Sequence, residues 1–426
     1  MPSRYSGLFA AAFAAMGVAA PANALACHPV TRANVVPCAL SQSIESHSER
    51  EGLAAVNARV RAAKTVLPSN PTLSVNGGVP IGYALSANTL TWGVSVAQEV
   101  EIGGQRGRRM ELAGAEHSAQ SRRVVATQRA IAHAALIAYF DALAARERGA
   151  LSARLGGLAH ALDVYARSRL EVGLMSAVET SVARAEAVRL SQLALEAELR
   201  LKEALAMLTS TLGQDPAVAL VEIDGELEPL VLVDLPIERL VTGAIAERAD
   251  AQVSTAENEV LRRRAALLRA TRVPNPTFSV YYRKDWFEER VAGIGLSLPL
   301  PLPSPVGRTF AAEIAEAEAL ARRAVLDTQK LRRDVRLEVM NAKLTWDTRR
   351  SEQALFTPES IRQASDGIDA IGDALRTQKI AIRDALLSEQ TLVELLLGNI
   401  EARRELCLAS VELAYAAGAA MERGVQ

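Results

Sequence analysis

Asn70-Pro71-Thr72-Leu73-Ser74-Val75 and, 205 residues later, Asn275-Pro276-Thr277-Phe278-Ser279-Val280 are two copies of one phrase. An offset close to half of a 426-residue chain marks one unit written twice, so a reading of either half can be checked on the other. The likeness extends outward from the phrase. A helix-like Ala/Arg-rich run precedes each copy (54–67 and 256–273), strand-like alternation follows it, and a very long stretch without proline comes next.

In Thr91-Trp92-Gly93-Val94-Ser95-Val96-Ala97-Gln98, large apolar residues alternate with small or polar ones, the period of a strand. The same alternation runs through Leu73 and Val75 and through Phe278, Val280 and Tyr282. It is strongest at Ile294, Leu296, Leu298 and Leu300, interleaved with Gly293, Gly295, Ser297 and Pro299. Each copy is thus predicted to hold a hairpin, 71–82 with 89–102 and 276–284 with 289–300. Strands of about 10 residues, apolar on one face and small or polar on the other, suit a barrel with lipid outside and water inside. A soluble sandwich edge would leave four isolated strands among very long helices. Four strands cannot close a barrel, and each unpaired backbone group in lipid costs several kcal/mol, so several chains must pool their strands. Tyr83, Trp92, Tyr281, Trp286 and Phe287 suit interfacial positions, although aromatics near turns occur in any sheet.

The rest of the pattern is helical. A helical run from about Thr31 to Leu67 ends at Pro68 and Pro71. After the first hairpin, Gly103-Gly104-Gln105-Arg106-Gly107-Arg108-Arg109 reads as a strand-to-helix turn, matched by Ser304-Pro305-Val306-Gly307-Arg308 in the second copy; neither has the Lys-Ser/Thr pair of a phosphate loop. No proline interrupts Gln105 to Glu171, a helix of about 100 Å at 1.5 Å per residue. Leu151, Leu155, Leu158, Leu162 and Tyr165 step 4, 3, 4, 3, as do Leu201, Leu205, Leu208 and Leu212. That rhythm favours left-handed coiling against a partner helix. The helix breaks at Val172-Gly173-Leu174, and a return helix from about Ser176 to Leu212 stops at Gly213, Asp215 and Pro216. Residues 214–236 are predicted to be a mixed connector with short strands. The second copy repeats the plan, with a long helix from about Arg308 to Leu375 interrupted at Pro358 and a return helix to Ala417. The two structural repeats are therefore 27–235 and 236–426.

Composition narrows the function. Ala is abundant and aromatics make up only 4%, which suits close helix contacts. The formal net charge of -1, from 48 basic and 49 acidic residues interleaved along the chain, argues against a nucleic-acid groove. Residues 1–26 read as an export signal: Arg4, an apolar run from Gly7 to Ala20, and the small-x-small site Ala24-Leu25-Ala26. The competing reading, a membrane anchor, needs a longer run, and no other stretch reaches spanning length. Ala24-Leu25-Ala26-Cys27 resembles a lipoprotein cleavage box with Ala where Leu is usual. A Cys27–Cys38 disulfide is the alternative in an oxidising compartment, and both stay open. Cys407 falls in the apolar series Val393, Leu397, Ile400 and Val411, a small buried residue.

No enzyme constellation, cofactor motif or metal site is read. His117, His133 and His160 are separated by 16 and 27 residues on one helix, which points them to different sides. His28 beside Cys27 could touch a metal loosely, and a flexible mature terminus is the blander account. Asp285, Glu288 and Glu289 with Arg283, Lys284 and Arg290 read as a solvated loop at the second hairpin turn.

Leu170-Glu171-Val172-Gly173-Leu174-Met175-Ser176-Ala177-Val178-Glu179, followed by Ala183-Arg184-Ala185, resembles the first periplasmic helix-turn of the TolC-like outer-membrane efflux channels. The Asn-Pro-Thr phrase and the Gly-Gly-Gln-Arg turn resemble the branch associated with cobalt, zinc and cadmium export. The resemblance spans the mature chain. It implies a mainly α protomer with membrane β-hairpins, built as a duplicated helix–hairpin–long-helix-pair. Three such chains would pool twelve strands into an outer-membrane β-barrel, continued by an α-helical barrel through the periplasm. It further implies a periplasmic adaptor (membrane fusion) protein at Val172, Gly173 and Leu174, and an inner-membrane pump of the resistance-nodulation-division type.

At the second tip the family's glycine-containing turn is replaced by Arg376-Thr377-Gln378-Lys379-Ile380-Ala381-Ile382-Arg383-Asp384. Asp384 matches a pore-lining gate aspartate, while Leu387 occupies the second such position. A single acidic ring is expected, with Arg383 or Arg376 as partner; an ordinary solvated charge is the alternative. The expected function is a passive exit duct for heavy-metal cations. A duct for organic compounds or for type I protein secretion, and an exported coiled-coil scaffold without a pore, are the alternatives.

Overall fold

The computed structural model describes residues 27–79, 90–232, 234–285, 289–302, 305–307 and 309–419. The export segment 1–26, together with Tyr83, Trp286, Phe287, Glu288, Ser304 and Arg308, lies outside the described residues. The chain opens with α1 (Val35–Gln42) and α2 (Ile44–Ala63), which part at Ser43, an extended residue whose hydroxyl accepts from the Ser46 amide and caps the second helix. There follow β1 (Thr72–Gly78), β2 (Thr91–Glu99), α3 (Gln105–Glu171), α4 (Ala177–Thr211), α5 (Ile237–Glu247) and α6 (Ala249–Ala270). The second hairpin is β3 (Thr277–Lys284) and β4 (Arg290–Ser297), and α7 (Ala311–Gln353), α8 (Pro358–Arg376) and α9 (Ile382–Ala416) complete the fold.

Both hairpins and both long helical pairs fall where the sequence pattern points. The expected discontinuity also appears: α7 and α8 are separate helices, with Thr357 capping the Ser360 amide and Pro358 in the first turn of α8. In the first repeat α3 continues unbroken for 67 residues.

The connector departs from expectation. Instead of short strands, its described residues form one isolated parallel bridge, Val30 to Ile223. Its backbone groups are taken up by side chains of the helices beneath: Tyr139 Oη donates to Asp224 O at 2.7 Å, Arg146 to Ile223 O at 2.9 Å, and Leu230 N to Ser410 Oγ at 2.9 Å. Backbone polar groups satisfied this way need no second strand.

The largest core gathers Leu136, Tyr139, Phe140 and Leu143 of α3 against Leu208 and Leu212 at the end of α4, Val411 of α9, and the N-terminal Val30 and Val35. Cys27 and Cys38 lie in the same cluster, bonded to each other with Cα atoms 6.0 Å apart. Cys407 is fully buried there, and desolvation pushes its thiol up to about 12, so it is inert. A second core runs toward the other end of the helices, built from α3, α4, α8 and α9. The outward faces of α4 and α7 stay bare: Val182, Val188, Leu195 and Leu199 on the first, and Leu326, Leu337 and Leu344 on the second, are exposed.

Candidate functional site

The four strands form one antiparallel sheet in the order β1-β2-β3-β4, so β2 and β3 join the two repeats directly. Residues paired across strands share a face. Leu73, Val96, Val280 and Ile294 lie in one row, and Val75, Val94 and Tyr282 in the next. This apolar face is uncovered, with Ile294 86% and Val75 72% exposed. The opposite face carries Ser74, Asn76, Gly93, Ser95, Ser279, Gly293 and Gly295. The glycines are needed for space: side chains on Gly293 and Gly295 would collide with the Tyr281 ring and the Ser279 hydroxyl. Tyr281 therefore belongs to the polar face, in register with Ser95 and Gly293, with the Arg283 guanidinium 6.0 Å from its ring centre. Trp92 and Tyr282 pack 5.7 Å apart on the apolar face at the level of Lys284. Among the described residues, the outer edges of β1 and β4 have no strand partner.

Where the sheet meets the helices, the second Asn-Pro phrase clasps the first repeat. Gln105, the buried first residue of α3, donates through Nε2 to Val273 O (3.0 Å) and to Asn275 Oδ1 (2.9 Å). Asn275 Nδ2 in turn donates to Glu99 Oε1 at 2.7 Å. The turn between β2 and α3 can close because Gly104 takes φ 71° and a side chain on Gly103 would meet Val273 and the Ala270 carbonyl. The sequence exposed the repeated asparagine but not the glutamine that it holds. Replacing Gln105 with Leu leaves two acceptors unpaired, so we expect a loss of about 1–3 kcal/mol in chemical denaturation. Unchanged stability would show the clasp to be dispensable.

The two helical tips are built alike. At the first, Gly173 (φ 70°) closes the turn, Gly173 N donating to Leu170 O and Leu174 N to Arg169 O. At the second, Gln378 (φ 57°) takes the same place, its amide bonded to Leu375 O and that of Lys379 to Ala374 O. A left-handed glutamine costs of order 1–2 kcal/mol. The offsetting contacts come from α3: Arg169 donates to Gln378 O at 3.2 Å and Tyr165 Oη to Ile380 O at 2.9 Å. Val172 and Leu174 are exposed on the first tip, with Val178 just beyond.

Asp384 occupies the position in α9 that Glu179 occupies in α4. Glu179 is engaged in a capping box with Ser176, whose backbone amide and hydroxyl hold its carboxyl below the usual range. The corresponding cap in the second repeat is Ala381, which has no hydroxyl, so Asp384 is left exposed in the first turn of its helix. The structure does not bring the expected arginines to it. Arg376 pairs instead with Asp373 at 3.0 Å, its neighbour three residues back on α8, and no hydrogen bond or ion pair joins Arg383 to Asp384 within the chain. Leu387 is exposed nearby on α9.

The three helix histidines remain apart; His133 faces Glu412 at 3.0 Å and stacks on Tyr415. Among the described residues no three His, Cys, Asp or Glu side chains converge as a metal site.

No protein-family model and no curated protein matches the chain. Its structure does match solved ones along almost its whole length. The outer membrane protein VceC of Vibrio cholerae superposes with a TM-score of 0.71 at 15% identity, over 92% of this chain and 96% of that one. The CmeC outer membrane channel of Campylobacter jejuni gives 0.73 at 14% identity, over 91% and 85%. CusC, studied for its folding and transmembrane channel formation, gives 0.70 at 12% identity, over 91% and 92%. The chain thus has the TolC-like fold of outer-membrane efflux channels. At these identities the likeness establishes the fold.

Proposed function

We propose that this chain is one protomer of a homotrimeric outer-membrane exit duct, passing substrate passively from an inner-membrane resistance-nodulation-division pump and a periplasmic adaptor to the exterior. The observation that carries the reading is the sheet, apolar and bare on one face, polar on the other, and unpaired at both edges. Joining β4 of each copy to β1 of the next gives twelve strands with no open edge in lipid. The bare apolar stripes of α4 and α7 supply faces for the neighbouring copies below the membrane. Val172, Gly173 and Leu174 form an exposed apolar knob suited to an adaptor. The fold likeness to outer-membrane channels supports the same reading.

Fractionation tests it: a heat-resistant trimer in the outer membrane is expected, and a soluble elongated rod would sink the duct. Heavy-metal cations are the favoured cargo, on the resemblance of the Asn-Pro-Thr phrase and the Gly-Gly-Gln-Arg turn. A deletion strain is expected to lose tolerance to zinc, cobalt or cadmium; a strain sensitised only to organic toxicants would redirect the assignment. Because the Asp384 carboxyl has no partner among the described residues, three copies would form one acidic ring. Asp384→Ala is expected to raise single-channel conductance in planar bilayers, and unchanged conductance retires the residue as a gate.

A further inference from the structure

Two buried carboxylates, Glu186 and Glu389, meet one partly exposed guanidinium, that of Arg189, at the edge of an apolar core. Glu389 is fully buried, in line with Ala385, Val393 and Leu396 on the inner face of α9. Its Oε1 accepts a 3.2 Å hydrogen bond from Arg189 Nη2 of α4, and its Oε2 has no partner. The same guanidinium donates to Glu186 Oε1 from Nε at 2.6 Å, and Glu186 is buried as well. The two carboxyl groups share one nitrogen, because Arg189 Nη2 also lies 2.5 Å from Glu186 Oε1. From the other elements of this core, α3 contributes Leu155, Leu158 and Leu162, and α8 contributes Ile368 and Ile371. The charges of those helices pair elsewhere, Arg154 with Asp369 and Asp163 with Arg167 and Arg184. Glu394 is the remaining acid felt by Arg189. Among the described residues, Arg189–Glu389 is the only ion pair between α4 and α9.

Two buried carboxylates facing one half-exposed guanidinium leave an uncompensated negative charge on the buried side of the contact, which is costly. One proton removes it and turns the idle oxygen of Glu389 into a donor for Glu186. We propose that Glu186 and Glu389 form a proton-binding site that latches α4 to α9, a proton held between them closing the contact and its loss loosening it. Burial, and then the charge of Glu186, push the Glu389 carboxyl up to about 7. In the separated state Glu389 is solvated and titrates in the ordinary carboxylate range, so between that range and about 7 the latched state holds more protons. The latch is therefore at full strength at acid pH, weakens across this window, and is lost above it.

α4 belongs to the helical pair that ends in the first tip and α9 to the pair that ends in the second. The functional consequence rests on the duct reading: release of the latch frees the tips to separate, so acid favours the closed form.

Spin labels at Gln192→Cys and Gln390→Cys, both exposed, report the α4–α9 distance in the full-length protein. Cys407 is buried and the other two cysteines are bonded, so neither competes for label. The expected result is a narrow distance distribution at pH 5 that lengthens and broadens with a midpoint near 7. Glu389→Gln mimics the protonated acid and is expected to stay narrow throughout. Glu186→Gln leaves one carboxylate per guanidinium and is likewise expected to abolish the pH response. A distance that ignores pH in the unsubstituted protein overturns the latch. A distance that moves in a protein forming no channel in bilayers leaves the latch standing and overturns the duct.

Discussion

Val280→Arg is expected to empty the outer membrane of assembled trimers, whereas Ser74→Arg, on the other face of the same sheet, is expected to leave them there. Val280 pairs with Val96 on one side and Ile294 on the other, in the row that Leu73 completes. On the duct reading Val280 faces lipid, where an arginine costs up to about 2–4 kcal/mol, and three copies would bring this to about 6–12 kcal/mol per trimer. Ser74 pairs with Ser95 on the polar face, where an arginine would stand in water. The measurement is the amount of heat-resistant trimer in outer-membrane fractions at equal expression. Equal yields from the two variants would mean that the apolar face does not meet lipid.

On the duct reading, Gly173→Val is expected to keep the trimer and lose export. The backbone there has φ 70°, a left-handed conformation that costs an L-residue about 1–2 kcal/mol and a β-branched one at least that. Either the turn strains or it opens, and in both cases Val172 and Leu174 leave the positions that present them. The tip lies at the opposite end of α3 from the strands, so membrane assembly is not affected. Tolerance of a complemented deletion strain should fall to that of the deletion itself, with crosslinking to the adaptor lost in parallel. Full tolerance with normal crosslinking would remove this tip from the docking site. Gln378→Gly is the useful contrast, since it relieves rather than creates strain at the matching turn.

The parts of this architecture that were legible in the sequence are those with a local cause. The strand alternation, Pro358 in the first turn of α8 and the glycine of the first tip all act through their immediate neighbours. The turn at Gln378 was legible only as a departure, because what holds it comes from Tyr165 and Arg169, more than 200 residues away. The Gln105–Asn275 clasp was hidden for the same reason. The connector read as strands because Val218, Leu220 and Val221 look like strand residues, while the helix side chains that satisfy its backbone cannot be seen from the segment itself. Glu389 does carry a sequence signal. Stepping back four residues from Val393 along the apolar seam of α9 lands on a carboxylate, and a charge in a seam announces a buried partner. The choice between lipid and disulfide at Cys27 needed the separation of its Cα from that of Cys38, which no pattern supplies.

The pairing of β2 with β3 also governs the order in which the protomer is made. Glu99 meets Thr277, so nearly 180 residues are synthesised after β2 before its partner exists. Contacts that span so much chain form slowly, because the intervening loop must be closed before any hydrogen bond repays it. The first hairpin therefore waits with both edges open, and the finished monomer still carries two. Such edges are templates for mispairing. On the duct reading, the chain would depend on a holding factor, or on rapid encounter with its own copies, from the time its first hairpin emerges.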